Sequence, residues 1–162
     1  MQWFPAYVGI GSNLGDPPAR VRAAFARLAS LPLSRLERRS SLYRSVPMGP
    51  VPQADFCNAV AGLLTQLEAS QLHAALRDLE TQLGREPGRE RWGPRMMDLD
   101  LLVYAEARRA DAQLTLPHPG IAARNFVLHP LCEIAPDLLI PGLGRVASLA
   151  AHSSATGLWR MA

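Results

Sequence analysis

Between positions 85 and 100 the chain reads Arg85-Glu86-Pro87-Gly88-Arg89-Glu90-Arg91-Trp92-Gly93-Pro94-Arg95-Met96-Met97-Asp98-Leu99-Asp100, with four arginines ahead of two aspartates one residue apart. The aspartates interrupt an apolar run of strand length, Met97 to Tyr104. Side chains of a strand alternate between faces, so Asp98 and Asp100 project from one side. Two carboxylates so placed disfavour each other's ionisation, and a divalent cation removes the conflict. Mg²⁺ suits them: it takes one or two protein carboxylates and shares its other positions between water and substrate phosphates. The arginines would then meet phosphate oxygens through bidentate, charge-assisted hydrogen bonds. A plainer reading is a half-buried strand whose wet face carries two acids behind a solvated loop. The Gly93-Pro94-Arg95 turn and the arginine cluster favour the metal and phosphate reading.

Other residues are open to two readings. Asn58 lies on an apolar run, Phe56 to Leu64, on the face of Phe56 and Val60. A primary amide there must find hydrogen bonds, either with neighbouring backbone or with a ligand. His118 stands between Pro117 and Pro119. That gives the imidazole a fixed direction, suited to a phosphate or metal-bound group or simply to an exposed turn. Glu80 is close in sequence to Arg85 and could hold it, or could be a solvated surface charge. Read alone, Phe56 and Phe126 are core residues and Arg124 a surface residue. Gly11-Ser12-Asn13-Leu14-Gly15 fits a phosphate cradle as well as a tight strand-to-helix turn.

Composition narrows the chemistry. All 17 basic residues are arginine, against 14 acidic ones. Without lysine there is no P-loop of the Gly-Lys-Ser type, no Schiff-base lysine and no kinase-type strand lysine. A net charge of +3 is too mild to argue for nucleic acid. Length and a 48% hydrophobic content fit one globular domain over positions 1–162. No apolar run reaches membrane-span length, and Met1-Gln2-Trp3-Phe4-Pro5 is no signal peptide, so a cytoplasmic protein is expected. Cys57 and Cys132 lie in apolar segments without metal spacing and are expected as free thiols.

These residues need elements to hold them. Tyr7 to Ile10 is a short strand; Asp16-Pro17-Pro18 caps and opens a helix with the stripe Val21, Ala24, Phe25, Leu28. Arg35 to Val46 alternates as one long strand, with Leu36, Leu42 and Val46 inward and Glu37, Arg39, Ser41 and Tyr43 wet. A stiff triple-proline loop to Asp55 links it to a hairpin partner at 56–64. Ser70 opens a second helix through Leu72, Ala75, Leu76, Leu79 and Leu83, stopped by Gly84. After the aspartate strand come a polar connection at 105–113, extended chain at Leu114 to Leu116, a helical turn at 121–130 and a short helix at 130–136. A Pro141 to Gly144 turn follows, then a last helix at Val146 to Ala151. The order strand, helix, strand, strand, helix, strand is the split βαβ pattern of an α+β, ferredoxin-like βαββαβ core, an antiparallel sheet with both helices on one face plus a C-terminal extension. On it, Asp98 and Asp100 are expected on a central strand.

Three blocks then coincide: Gly9-Ile10-Gly11-Ser12-Asn13-Leu14-Gly15-Asp16; Arg91-Trp92-Gly93-Pro94-Arg95 to Asp98-Leu99-Asp100-Leu101-Leu102; and Leu116-Pro117-His118-Pro119 with Arg124-Asn125-Phe126-Val127-Leu128. In order and spacing, over nearly the whole chain, they resemble the 6-hydroxymethyl-7,8-dihydropterin pyrophosphokinases, and Pro130 to Asp137 continues the match. The resemblance implies transfer of pyrophosphate from ATP to the pterin hydroxymethyl group, releasing AMP, in folate biosynthesis. It implies Asp98 and Asp100 as ligands of two Mg²⁺ ions, with Arg85 and Arg95 among the catalytic residues. His118 and Arg124 would contact phosphate, Trp92 would belong to a mobile loop closing over both substrates, and Glu80 and Leu101 would lie on the ATP side. Phe56 and Phe126 would sandwich the pterin ring, with Asn58 and the Ser45, Val46 and Met48 segment along its hydrogen-bonding edge. Where family members often carry further basic residues after the Gly-Arg pair, this chain has Pro87 and Gly88, and Arg89 and Arg91 are next in line. The resemblance also implies a monomer acting on small molecules, with neither nucleic acid nor membrane as partner.

Two other classes share this element order. An RNA-recognition module would display aromatics in a Gly-Phe-Gly-Phe-like run on its central strands; the chain has none, and an acid pair on the sheet repels phosphate unless metal is present. A two-metal nucleotidyltransferase would use a similar sheet. Supplying ATP, Mg²⁺ and the pterin and looking for AMP separates the three.

Overall fold

The computed structural model describes residues 2–84 and 93–161. Arg85 and Trp92, with Arg89 and Arg91, lie outside the described residues.

Strand β1 (Phe4–Ser12) feeds helix α1 (Pro17–Ala29). Asp16 caps that helix by accepting from the Ala19 N–H, two prolines follow it, and Val21, Ala24, Phe25 and Leu28 are buried. The expected long second strand is instead two, β2 (Ser34–Arg39) and β3 (Tyr43–Ser45). The break is chemical. The Ser40 N–H donates to the Val60 carbonyl, but the Val60 N–H donates to the Ser40 side-chain oxygen, so a hydroxyl replaces the next ladder acceptor. Leu36 and Leu42 pack on the same side of the sheet as α1 on either side of the break, as expected, whereas Tyr43, expected wet, is buried on the opposite face with its hydroxyl on Glu133, and Val46, expected inward, is exposed. Strand β4 (Phe56–Thr65) pairs antiparallel with both pieces.

Helix α2 (Ala69–Gln82) begins one residue before the expected Ser70, with Glu68 at its N-cap and Gln71 completing a capping box. Gly84, at φ +104°, ends it in a left-handed conformation. Strand β5 (Asp98–Tyr104) follows, then the small hairpin β6 (Arg109–Ala110) and β7 (Thr115–Leu116). The segments read as a turn and a short helix near Pro130 form one helix, α3 (Asn125–Ile134), preceded by a 3₁₀ turn at Ile121–Ala123. Pro130 sits inside α3 and forgoes only the bond to the Phe126 carbonyl. The hairpin β8 (Leu139–Ile140) and β9 (Gly144–Arg145) leads into α4 (Val146–Ala151), and an unforeseen strand, β10 (Leu158–Arg160), pairs with β3.

The main sheet runs β10-β3-β4-β1-β5, with β2 also on β4. Strand β5 is therefore an edge strand, where a central one was expected. Helices α1 and α2 pack on one face against Ala6, Val8, Ile10, Leu99 and Leu101. Helices α3 and α4 cover part of the other around Val60, Leu102, Leu128 and Leu131. Beyond α3 that second face stays open, and there β1 presents Gly9 and Gly11.

Candidate active site

Alternation along three strands builds an open cleft lined by aromatic, amide, carboxylate and guanidinium groups. On β1, Val8 and Ile10 face the helices while Gly9 and Gly11 form the floor. A Cβ at Gly11 would stand 2.9 Å from Asn58 Oδ1, so a side chain there would displace the amide. On β4, Phe56 and Asn58 line the cleft; on β5, Asp98 and Asp100 do. Arg124, Phe126 and Val127 at the start of α3 close one wall, and Ser45, Val46 and Met48 another. Arg95 and Gly93 close the end beside Asp98.

The cleft has an aromatic half and a charged half. In the first, the Asn58 amide donates to Ser45 Oγ and stays beside Phe56 and Phe126. In the second, Asp100 stands among three cationic or imidazole groups: Arg77 Nη2 at 3.8 Å and His118 Nε2 at 3.8 Å, with Arg124 Nη1 at 3.9 Å. Arg95 Nε is 4.0 Å from Asp98. The Arg124 guanidinium also lies 5.9 Å from the centroid of Phe126, touching both halves. Burial pushes the His118 ring below the usual histidine range; Asp100 pulls it up, and Arg124 and Arg77 push it further down. Because His118 Nδ1 accepts from the Gly120 N–H, the neutral ring carries its proton on Nε2, on the side of Asp100.

Strand β5 is held at its free edge by side chains. Glu80, read alone as a surface charge, is 1% exposed. Its Oε2 accepts from the Leu99 N–H at 2.8 Å, while Arg77 Nη2 donates to the Leu99 carbonyl at 2.8 Å, and Arg77 Nη1 is 3.0 Å from Glu80. Both outward backbone groups of Leu99, the residue between the two aspartates, are thus paired. Spacing on α2 could have flagged Arg77, three residues before Glu80, but nothing in the sequence aims it at β5. The structure gathers Arg95, Asp98, Asp100, Arg124, Phe126, Phe56, Asn58, Ser45, Val46 and Met48 around one cleft, with His118 beside it. It does not bring the Leu101 side chain there: at 2% exposed it faces the helix layer. Glu80 is engaged by the Leu99 N–H and by Arg77, and Arg85 and Trp92 are outside the described residues.

The family model for 7,8-dihydro-6-hydroxymethylpterin-pyrophosphokinase matches residues 7–136. The chain belongs to this family. It is 44% identical over 137 residues to the 2-amino-4-hydroxy-6-hydroxymethyldihydropteridine pyrophosphokinase of Methylorubrum extorquens, covering 85% of this chain and 86% of that protein. To the Pseudomonas aeruginosa enzyme of the same name it is 41% identical over 155 residues, covering 96% and 95%. A crystal structure of an HPPK-DHPS in complex with substrates shares the fold with a TM-score of 0.69 at 11% identity, and a Plasmodium falciparum HPPK-DHPS with a TM-score of 0.70 at 12%. Each alignment covers 93% of this chain but only 43% of those longer chains. The family is ferredoxin-like, and its reaction is ATP-dependent transfer of pyrophosphate to hydroxymethyldihydropterin in folate biosynthesis. No helix among the described residues is long and apolar enough to cross a membrane.

Proposed function

We propose that this chain carries out the family reaction in the cleft, with the pterin in the aromatic half and the ATP phosphates in the charged half. The observation that carries the reading is that Phe56, Asn58 and Phe126 line the same cleft as Asp98, Asp100, Arg95 and Arg124. The ring would lie between Phe56 and Phe126, with polar edge groups against Asn58 and the Ser45 to Met48 segment. Its hydroxymethyl oxygen would then point toward the acid pair. That oxygen would bond to the β-phosphorus of ATP as the bond from β-phosphorus to the oxygen it shares with the α-phosphate breaks; AMP would depart with that oxygen and the hydroxyl proton would pass to solvent water. Arg95, Arg124 and the Nε2–H of His118 would orient phosphate oxygens and offset their charge, and such transfer asks for alignment and electrostatics above all. Arg85 would contact phosphate and Trp92 would belong to the loop that closes over both substrates; both lie outside the described residues.

The donor set suits Mg²⁺. Two half-buried carboxylates on one strand face offer hard oxygens, and among the described residues no cluster of three or more His, Cys, Asp or Glu forms a closed cage. Asp98 and Asp100 would hold two Mg²⁺ ions, which supply charge neutralisation at the phosphates and a lower pKa for the attacking hydroxyl. Incubation with ATP, Mg²⁺ and 6-hydroxymethyl-7,8-dihydropterin is expected to yield AMP and the pterin diphosphate, and chelation by EDTA to stop it. Formation of ADP instead would mean single-phosphoryl transfer and overturn the reading.

A further inference from the structure

Asn13 was open to a phosphate-cradle reading, yet its side chain turns inward and is only 4% exposed. Its Nδ2 donates at 2.9 Å to Gln53 Oε1 and at 2.9 Å to the Ala54 carbonyl. Its Oδ1 accepts from the Arg95 N–H at 2.8 Å, and its own backbone N–H donates to the Arg95 carbonyl at 2.9 Å. One residue at the end of β1 thus pairs both peptide groups of Arg95 and pins Gln53 and Ala54, 40 or more positions away in sequence. The partners belong to opposite halves of the cleft. Gln53 and Ala54 end the loop that starts at Ser45, Val46 and Met48 and leads into Phe56, whereas Arg95 stands beside Asp98.

We propose that Asn13 is a positioning residue through which the pterin half and the phosphate half of the cleft influence each other. This rests on the function proposed above. A pterin that orders the 47–55 loop fixes Gln53 and Ala54, and the Asn13 amide carries that constraint to the Arg95 backbone; a nucleotide that fixes Arg95 does the reverse. Coupling of this kind is reciprocal by thermodynamic necessity. Only a primary amide at this reach offers two donors and an acceptor together. Aspartate keeps the acceptor for Arg95 and loses both donors; alanine loses all three.

The test measures the pterin Kd with and without a non-hydrolysable ATP analogue and Mg²⁺, and the nucleotide Kd with and without pterin, in the wild-type chain, Asn13→Ala, Asn13→Asp and Gln53→Ala. In the wild type each ligand is expected to tighten the other by about tenfold. In Asn13→Ala and Asn13→Asp that factor should fall close to one while each ligand's Kd alone moves less than about threefold, and kcat should drop more than KM rises. Gln53→Ala should lower the factor part of the way. Should Asn13→Ala fail to fold, Asn13→Asp and Gln53→Ala decide the matter by the same ratio. A wild-type factor near one, or a folded Asn13→Asp that keeps the wild-type factor, overturns the proposal. Absence of AMP formation by the wild-type chain would instead overturn the function proposed above, so the two failures are distinct.

Discussion

Glu133 and Asp100 are both carboxylates on the α3 side of the sheet, but their surroundings differ. Glu133 on α3 is saturated: it accepts from the Ser41 N–H at 3.0 Å, the Ser41 hydroxyl at 2.9 Å and the Tyr43 hydroxyl at 2.7 Å, with Arg160 at 3.3 Å. Asp100 has its three neighbours at 3.8 to 3.9 Å, beyond hydrogen-bond reach. The first arrangement uses up the acid's lone pairs and locks α3 to β3. The second surrounds a carboxylate with favourable charge while leaving its oxygens able to take another ligand. A satisfied acid builds structure, and an acid held just short of satisfaction is available for chemistry.

Removing the acids should separate those roles. Asp98→Ala or Asp100→Ala is expected to lower turnover at least a hundredfold, on the order of the loss when one preorganised transition-state contact is deleted. The thermal midpoint should barely change, and near-normal turnover of the folded variant would rule out the metal role. Glu80→Ala strips the Leu99 N–H of its acceptor and Arg77 of its partner. It should destabilise the protein by roughly 1–3 kcal/mol in urea titration and also slow turnover, because the spacing of the aspartates depends on that peptide. Glu133→Gln should cost about 1–3 kcal/mol of stability with kcat unchanged. Its pH signature follows from the folded-state shift. Burial would raise the Glu133 pKa, but Tyr43, both Ser41 donors and Arg160 together hold it below the usual range. Its stabilisation is therefore complete above the unfolded value of about 4.3 and disappears as pH falls through the folded one. Urea midpoints of wild type and Glu133→Gln should converge on acidification, and a gap that persists at low pH would contradict this.

Much of this was readable from residue order, and the failures share a cause. Asp16-Pro17-Pro18, the α1 stripe and the Asp-x-Asp alternation are local patterns whose meaning does not depend on neighbours. The β2 to β3 break was not readable, because it depends on a Ser40 hydroxyl meeting the Val60 N–H twenty residues away. Glu80 looked like a surface acid since its burial comes from the backbone of β5, and what Arg77 and Asn13 bind could not be read locally because their partners, Leu99 and Arg95, lie 22 and 82 positions away. Gly9 and Gly11 were legible as strand and turn residues, but their service as a floor appears only when Asn58 is placed across the ladder. The edge position of β5 could not be told from an apolar run, which also suits an interior strand.

That edge position has a further effect. An unpaired strand margin invites another chain to add itself by backbone pairing. Here the Leu99 peptide is occupied by Glu80 and Arg77, and the Leu102 carbonyl accepts from the His118 N–H. The flank nearest the acid pair is thereby closed to edge-to-edge aggregation by side chains and one loop amide, so protection against self-association needs no extra strand laid beside the cleft.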